Sequence, residues 1–136
     1  MEFQKKWINW VLETADVESV SNIGHRCYQD SQWVREIPRY TGEKRIESII
    51  AYLESTLPSF IFKPAKGGFT VDLNENKCFC PLVQSGITKN PKLCHCTKTF
   101  DKAMYEKLLN TQVEVKILKT ILSGDKSCVF EVILKK

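Results

Sequence analysis

Four of the six cysteines in this chain stand in two pairs, Cys78-Phe79-Cys80-Pro81 and Cys94-His95-Cys96, with thirteen residues between them. Clustered thiols bind soft metals, oxidise, or act as nucleophiles. In an extended chain, residues two apart point to the same face. Cys78 and Cys80 can therefore aim both sulfurs one way, with Phe79 turned aside. Cys94 and Cys96 can do the same, with His95 turned aside. Two such arms brought together would supply four thiolates in a tetrahedron, the closed donor set that zinc favours at about 2.3 Å per Zn–S bond. The one-residue gap departs from the longer spacing of the usual zinc knuckle and makes a tighter chelate, so zinc is one reading among three.

The second reading is a reactive or ligand-facing thiol. Cys94 and Cys96 fall just before a helical pattern, and a helix N-terminus stabilises a thiolate and lowers its pKa. His25 or His95 could serve as a base or hold a bound group, giving a nucleophile or a pocket for a small anion. The third reading is packing, since free cysteine is often a small buried hydrophobe. Cys128 suits that role, because it shares a strand face with Phe130 and Val132. A disulfide within either Cys-x-Cys pair would be strained.

Other candidates carry less chemistry. Gly24-His25-Arg26-Cys27 gains meaning only if the fold brings it to the cysteine pairs. Trp7, Trp10 and Trp33 could line a cavity, but two of them sit on an apolar helical stripe and read as core. His25 can cap the carbonyls of a helix end. Gly67-Gly68 lacks the lysine and Ser/Thr of a phosphate loop. Paired carboxylates, HExxH and GxSxG elements are absent from the sequence.

The elements that must position these residues follow from periodicity. Phe3, Trp7, Trp10, Thr14 and Val17 recur at helical spacing and predict a helix from residue 2 to about 21, ended by a left-handed Gly24. Asp30 or Ser31 opens a short second helix through Trp33 to Ile37, before Pro38. A third helix carries Ile46, Ile49, Ile50, Leu53 and Leu57, and Pro58 stops it. The period then drops to two. Phe60 to Phe62 and Phe69 to Leu73 read as strands around the turn Lys66-Gly67-Gly68. Residues 77–96 show no sustained period and read as a cysteine-rich loop. Thr97 or Thr99 caps a fourth helix, with Asp101 in its first turn. Val113, Val115 and Ile117 form one strand, and Cys128, Phe130, Val132 and Leu134 line one face of its return after Ser123-Gly124-Asp125-Lys126.

The sum is a single α+β domain over 1–136. N-terminal helices (1–58) pack on a four-stranded antiparallel sheet of two hairpins (59–136), with a helix between the hairpins. At 136 residues, 43% hydrophobic and 26% charged, the chain can bury a core unaided. Its net charge of +4 comes from scattered lysines, with Lys5-Lys6 and Lys135-Lys136 the adjacent pairs. That pattern lacks the dense basic stripe of a nucleic-acid partner. No membrane-length apolar run or targeting segment is visible, so a cytoplasmic location with reduced thiols is expected.

Four segments together resemble a bacterial and archaeal group of uncharacterised cysteine-rich domains: Gly24 to Cys27, Cys78 to Pro81, Leu93 to Cys96, and Val113-Glu114-Val115 through Ser123-Gly124-Asp125 to Phe130. That group is similar to L-2-amino-thiazoline-4-carboxylic acid hydrolases and, more distantly, to 4-vinyl-reductase-type ligand-binding domains. The resemblance implies an α+β small-molecule-binding fold with its cysteines near a pocket or a metal. Relatives of this kind often carry a further cysteine before the glycine. Here Ser21-Asn22-Ile23 stands there, which argues against a five-ligand or two-metal site.

The leading expectation is a binding or sensory domain. Cys78, Cys80, Cys94 and Cys96 would hold a metal, zinc above all, or face a small-molecule ligand, with Cys27, His25 and His95 close by. The alternatives are a small hydrolase cleaving a C–N or C–S bond of a sulfur-containing amino-acid derivative, and a structural zinc module for protein interaction.

Overall fold

The computed structural model describes residues 2–31, 39–74 and 80–135. The expected second helix through Trp33 and Ile37 lies outside them, as do Cys78 and Phe79.

The first helical stretch is two helices, α1 (Glu2–Thr14) and α2 (Val17–Gln29). Asp16 divides them. Its extended backbone ends the first helix, and its carboxylate accepts the Ser19 amide at 2.7 Å as the N-cap of the second. Burial and polar contacts hold α1 by Ile8, Asn9 and Leu12 rather than by its aromatic stripe. Phe3, Trp7 and Trp10 lie on the opposite side and are exposed. Trp7 and Trp10 are thus not core, as their spacing suggested. Periodicity finds an apolar face but cannot say which face meets the protein.

Helix α3 (Arg45–Thr56) buries Ile49, Ile50 and Leu53, as its spacing predicts. It packs near β1 (Ile61–Ala65), which pairs with β2 (Gly68–Asp72) through a tight turn where Gly67 takes φ +78°. Pro64 can sit inside β1 because that strand is an edge of the sheet. After a short helix α4 (Pro81–Gln84), the chain enters α5 (Cys94–Leu109), then β3 (Val113–Lys119) and β4 (Val129–Leu134).

The sheet order is β1-β2-β4-β3, all antiparallel. The two hairpins join through β2 and β4, with Val71 opposite Phe130 and Phe69 opposite Val132. The protein is an α+β domain with N-terminal helices and a four-stranded antiparallel sheet. Helix α5 lies between the layers. It packs along α2 on one side and against β3 on another. The main core gathers Phe69, Val71, Phe130 and Val132 of the sheet with Met104, Tyr105 and Leu108 of α5 and Ile49 and Leu53 of α3. A second, smaller core joins Leu12, Val20 and Leu93, with Cys80 and Cys96 packed against it.

No helix among the described residues is long and apolar enough to cross a membrane.

Candidate thiol site

The second cysteine pair is not an extended arm. Asn90 accepts the Lys92 amide at 3.0 Å, Pro91 follows, and one 3-10 turn leads directly into α5 at Cys94. Cys94, His95 and Cys96 therefore form the first helical turn, and Thr97 and Thr99 lie inside the helix rather than capping it. Residues two apart on a helix diverge by about 200° instead of sharing a face. Cys94 turns into the core and Cys96 turns toward α2.

The segment ahead of α5 is clamped to α1. Asn9 donates to the Ile87 carbonyl at 2.7 Å and accepts from the Thr88 hydroxyl at 2.7 Å. The Lys92 ammonium donates to the carbonyls of Leu12, Glu13 and Ala15 at 2.8, 3.1 and 2.8 Å. These are end carbonyls of α1 without helical partners, and a cation there also meets the negative end of the helix dipole. The sequence reading missed this clamp. Its only local signal was Asn90-Pro91, a helix-start pair that sets Lys92 beside the chain it caps.

Gly24 explains how Cys27 reaches the pairs. The helix does not end at Gly24, as a left-handed cap would require; it runs on to Gln29. Gly24 is buried mid-helix, and a Cβ there would overlap the Cys96 backbone carbonyl. Only a glycine lets α2 approach α5 this closely. Cys27, three residues on, shares that side of α2.

The Cys96 sulfur sits in this contact. Its S–H donates to the Val20 carbonyl at 3.0 Å. Burial pushes the thiol up to about 11, and the nearby thiols of Cys27, Cys80 and, least, Cys94 add to the rise, while a hydrogen bond from the Gly24 backbone works against it. At Cys96 desolvation and the neighbouring thiols raise the pKa, opposite in direction to the lowering expected of a helix N-terminus. A neutral thiol here is a hydrogen-bond donor, not an activated nucleophile.

Cys80, Cys94 and Cys128 line one apolar cavity of about 30 Å³ with Leu73, Leu93, Thr97, Leu122 and Phe130. Its volume suits one water molecule or a methyl-sized group. Cys128 is buried at 6% exposure and packs with the main core. Cys27 is exposed. His25 is exposed on α2, its ring nitrogen 3.4 Å from Gln29 Nε2, so it caps no helix end. His95 is half-buried, and its carbonyl accepts from the Thr99 hydroxyl at 3.0 Å.

The tertiary structure thus brings Cys27 of α2, Cys80 at the start of α4 and Cys94 of α5 within electrostatic range of Cys96. It sets His25 outward and Cys128 in the core. Among the described residues, no group of three or more His, Cys, Asp or Glu side chains is arranged to hold a metal ion. Cys78, two residues before Cys80, lies outside those residues.

Residues 65–136 match the model of a Family of unknown function (DUF6144). The chain belongs to this family. The DUF6144 match takes in both Cys-x-Cys pairs, α5 and the closing hairpin, while Cys27 and Gly24 precede it. No curated protein matches the chain.

Proposed function

We propose that this protein is a binding or sensory domain whose thiol cluster takes a thiophilic divalent cation of the zinc class. Cys80 and Cys96 would be donors, with Cys27 and Cys78 the candidates to complete the set, and Cys94, turned into the core, would stay outside it. The observation that carries the reading is the convergence on Cys96. Thiols from three separate segments raise its pKa, and a glycine-only helix contact holds two of those segments together.

The chemistry follows from that crowding. Neutral thiols pressed together resist losing protons because each thiolate formed repels the next. A cation removes the repulsion, displaces the protons and draws the sulfurs to about 2.3 Å. Binding would therefore release protons and tighten the junction of α2 with α5. A response of that kind suits a sensor better than a permanently closed structural site.

The test is metal analysis together with titration of Zn²⁺ against a chromophoric chelator. The expected result is about one zinc per chain with proton release on binding, lost in Cys96→Ser. A protein that takes up no zinc, and whose exposed Cys27 reacts equally fast with a thiol reagent with or without it, would overturn the reading.

A further inference from the structure

Helix α1 turns its aromatic side away from the protein. Phe3, Trp7 and Trp10 are 77%, 54% and 64% exposed, and exposed Thr14 continues their row. Steps of four, three and four residues keep these side chains on one stripe of a helix. The helix cannot roll to bury them. Ile8 and Leu12 pack in the smaller core, Asn9 bonds to Ile87 and Thr88, and the Lys92 ammonium holds the last carbonyls of α1. The stripe is therefore held out to solvent on a fixed support. A contiguous aromatic patch of that kind marks an interaction surface.

The size of the patch and the charges beside it point to what covers it. A Phe or Trp side chain removes about 150–250 Å² when fully covered, so at these exposures the three leave about 400 Å² open. Two such faces together would remove about 800 Å² of apolar surface, the apolar share of a stable interface of about 1,300 Å². One flank of the stripe carries Lys6 and Glu13, both exposed, and the other carries Gln4 and Val11. When two identical helices meet antiparallel across a two-fold axis, each flank faces its own copy in reverse order. With the axis between Trp7 and Trp10, Lys6 comes beside Glu13 of the second copy, and Glu13 beside Lys6 of the second copy. A parallel pair would set the charged flank against Gln4 and Val11 instead. A bilayer is a poorer match. Glu2 and Glu13 balance Lys5 and Lys6, so the side chains of α1 give no net pull toward anionic lipid.

From this complementarity we infer that the aromatic face of α1 is a self-association surface. Two copies of the chain pair through α1, antiparallel, with Trp7 and Trp10 at the centre and two Lys6–Glu13 pairs along the edge. The inference stands apart from the metal reading, because it uses none of the cysteines.

Sedimentation equilibrium of the metal-free full chain, over a micromolar concentration series, is the test. A monomer–dimer equilibrium is expected. Trp7→Gln combined with Trp10→Gln leaves a monomer with an unchanged far-ultraviolet spectrum. Lys6→Glu alone and Glu13→Lys alone each weaken the dimer about fivefold, since the two-fold axis doubles each repulsion. The double reversal, Lys6→Glu with Glu13→Lys, restores it. These charge variants alter exposed positions and decide the arrangement even if the Trp variant misfolds. A chain that stays monomeric across the series, a dimer that survives the Trp7 and Trp10 changes, or a double reversal as weak as the single ones overturns the inference. So does a monomer that floats with phosphatidylglycerol vesicles through the same two Trp side chains, which would make the face a lipid contact.

Discussion

Gly24 of α2 rests directly on the Cys96 carbonyl of α5, in a space that no Cβ can enter. That contact fixes how near the two helices come. It also sets how near Cys27 of α2 comes to Cys96 of α5.

Gly24→Ala is the sharpest test of that geometry. In an ordinary exposed helix the change is favourable, because alanine has the higher helix propensity. Here the methyl group must push α2 away from backbone, which cannot yield as a side chain can. We expect a loss of roughly 2–4 kcal/mol, larger than a typical overpacking change. Urea denaturation measures it, and a stability equal to or above that of the parent would contradict the contact.

Lys92→Met removes the ammonium shared by the carbonyls of Leu12, Glu13 and Ala15. The aliphatic stem stays, and three acceptors lose a donor. The expected destabilisation is about 1–3 kcal/mol. Amide exchange should quicken in the last turn of α1 and in residues 87–93, while β2 and β4 stay protected. Uniform quickening across the sheet would show that the clamp is not local.

The Cys96 thiol makes a prediction about alkaline pH. Its folded pKa of about 11 stands above the ordinary thiol value of 9.0. The folded state therefore holds the proton longer than the unfolded chain does. The stability linked to this proton is complete below pH 9 and is lost as pH rises toward 11. Cys96→Ser should flatten that alkaline decline. Mass spectrometry after brief alkylation should find Cys96 slower than exposed Cys27 at pH 8.

Asp101 follows the same sign at lower pH. Burial raises its carboxyl from 3.8 to about 7, so the folded state binds the proton more tightly than the unfolded chain. Its contribution is greatest below pH 4 and falls away as pH climbs through 7. Asp101→Asn, which stays neutral, should match the parent near pH 4 and exceed it by about 1–3 kcal/mol at pH 8, allowing for partial solvent access. A parent protein more stable than the variant at pH 8 would mean that the carboxylate has a compensating partner.

The order of the four strands, both hairpins, the helix between them and the buried faces of β2 and β4 were legible in the sequence. They depend on short-range alternation, turn glycines and the stop at Pro58. The break at Asp16 was misread because the apolar period of α1 runs on into α2, and an N-cap carboxylate interrupts a helix without disturbing that period. The two cysteine pairs were visible as chemistry, but not their directions. An extended Cys-x-Cys aims both sulfurs together, whereas the helical turn begun at Asn90-Pro91 divides Cys94 from Cys96.

By itself, the sequence determined the α+β layout and named the thiols, since both are properties of residue type and local spacing. Tertiary structure decided which thiols meet, that Cys128 stays in the core, and that Trp7 and Trp10 face outward. It also moved Asp101 from the first turn of its helix to a half-buried place in the middle of α5. Those outcomes depend on how closely helices approach and on what surrounds each group. A single contact such as Gly24 on Cys96 joins residues 72 positions apart in the chain, and no local pattern encodes it.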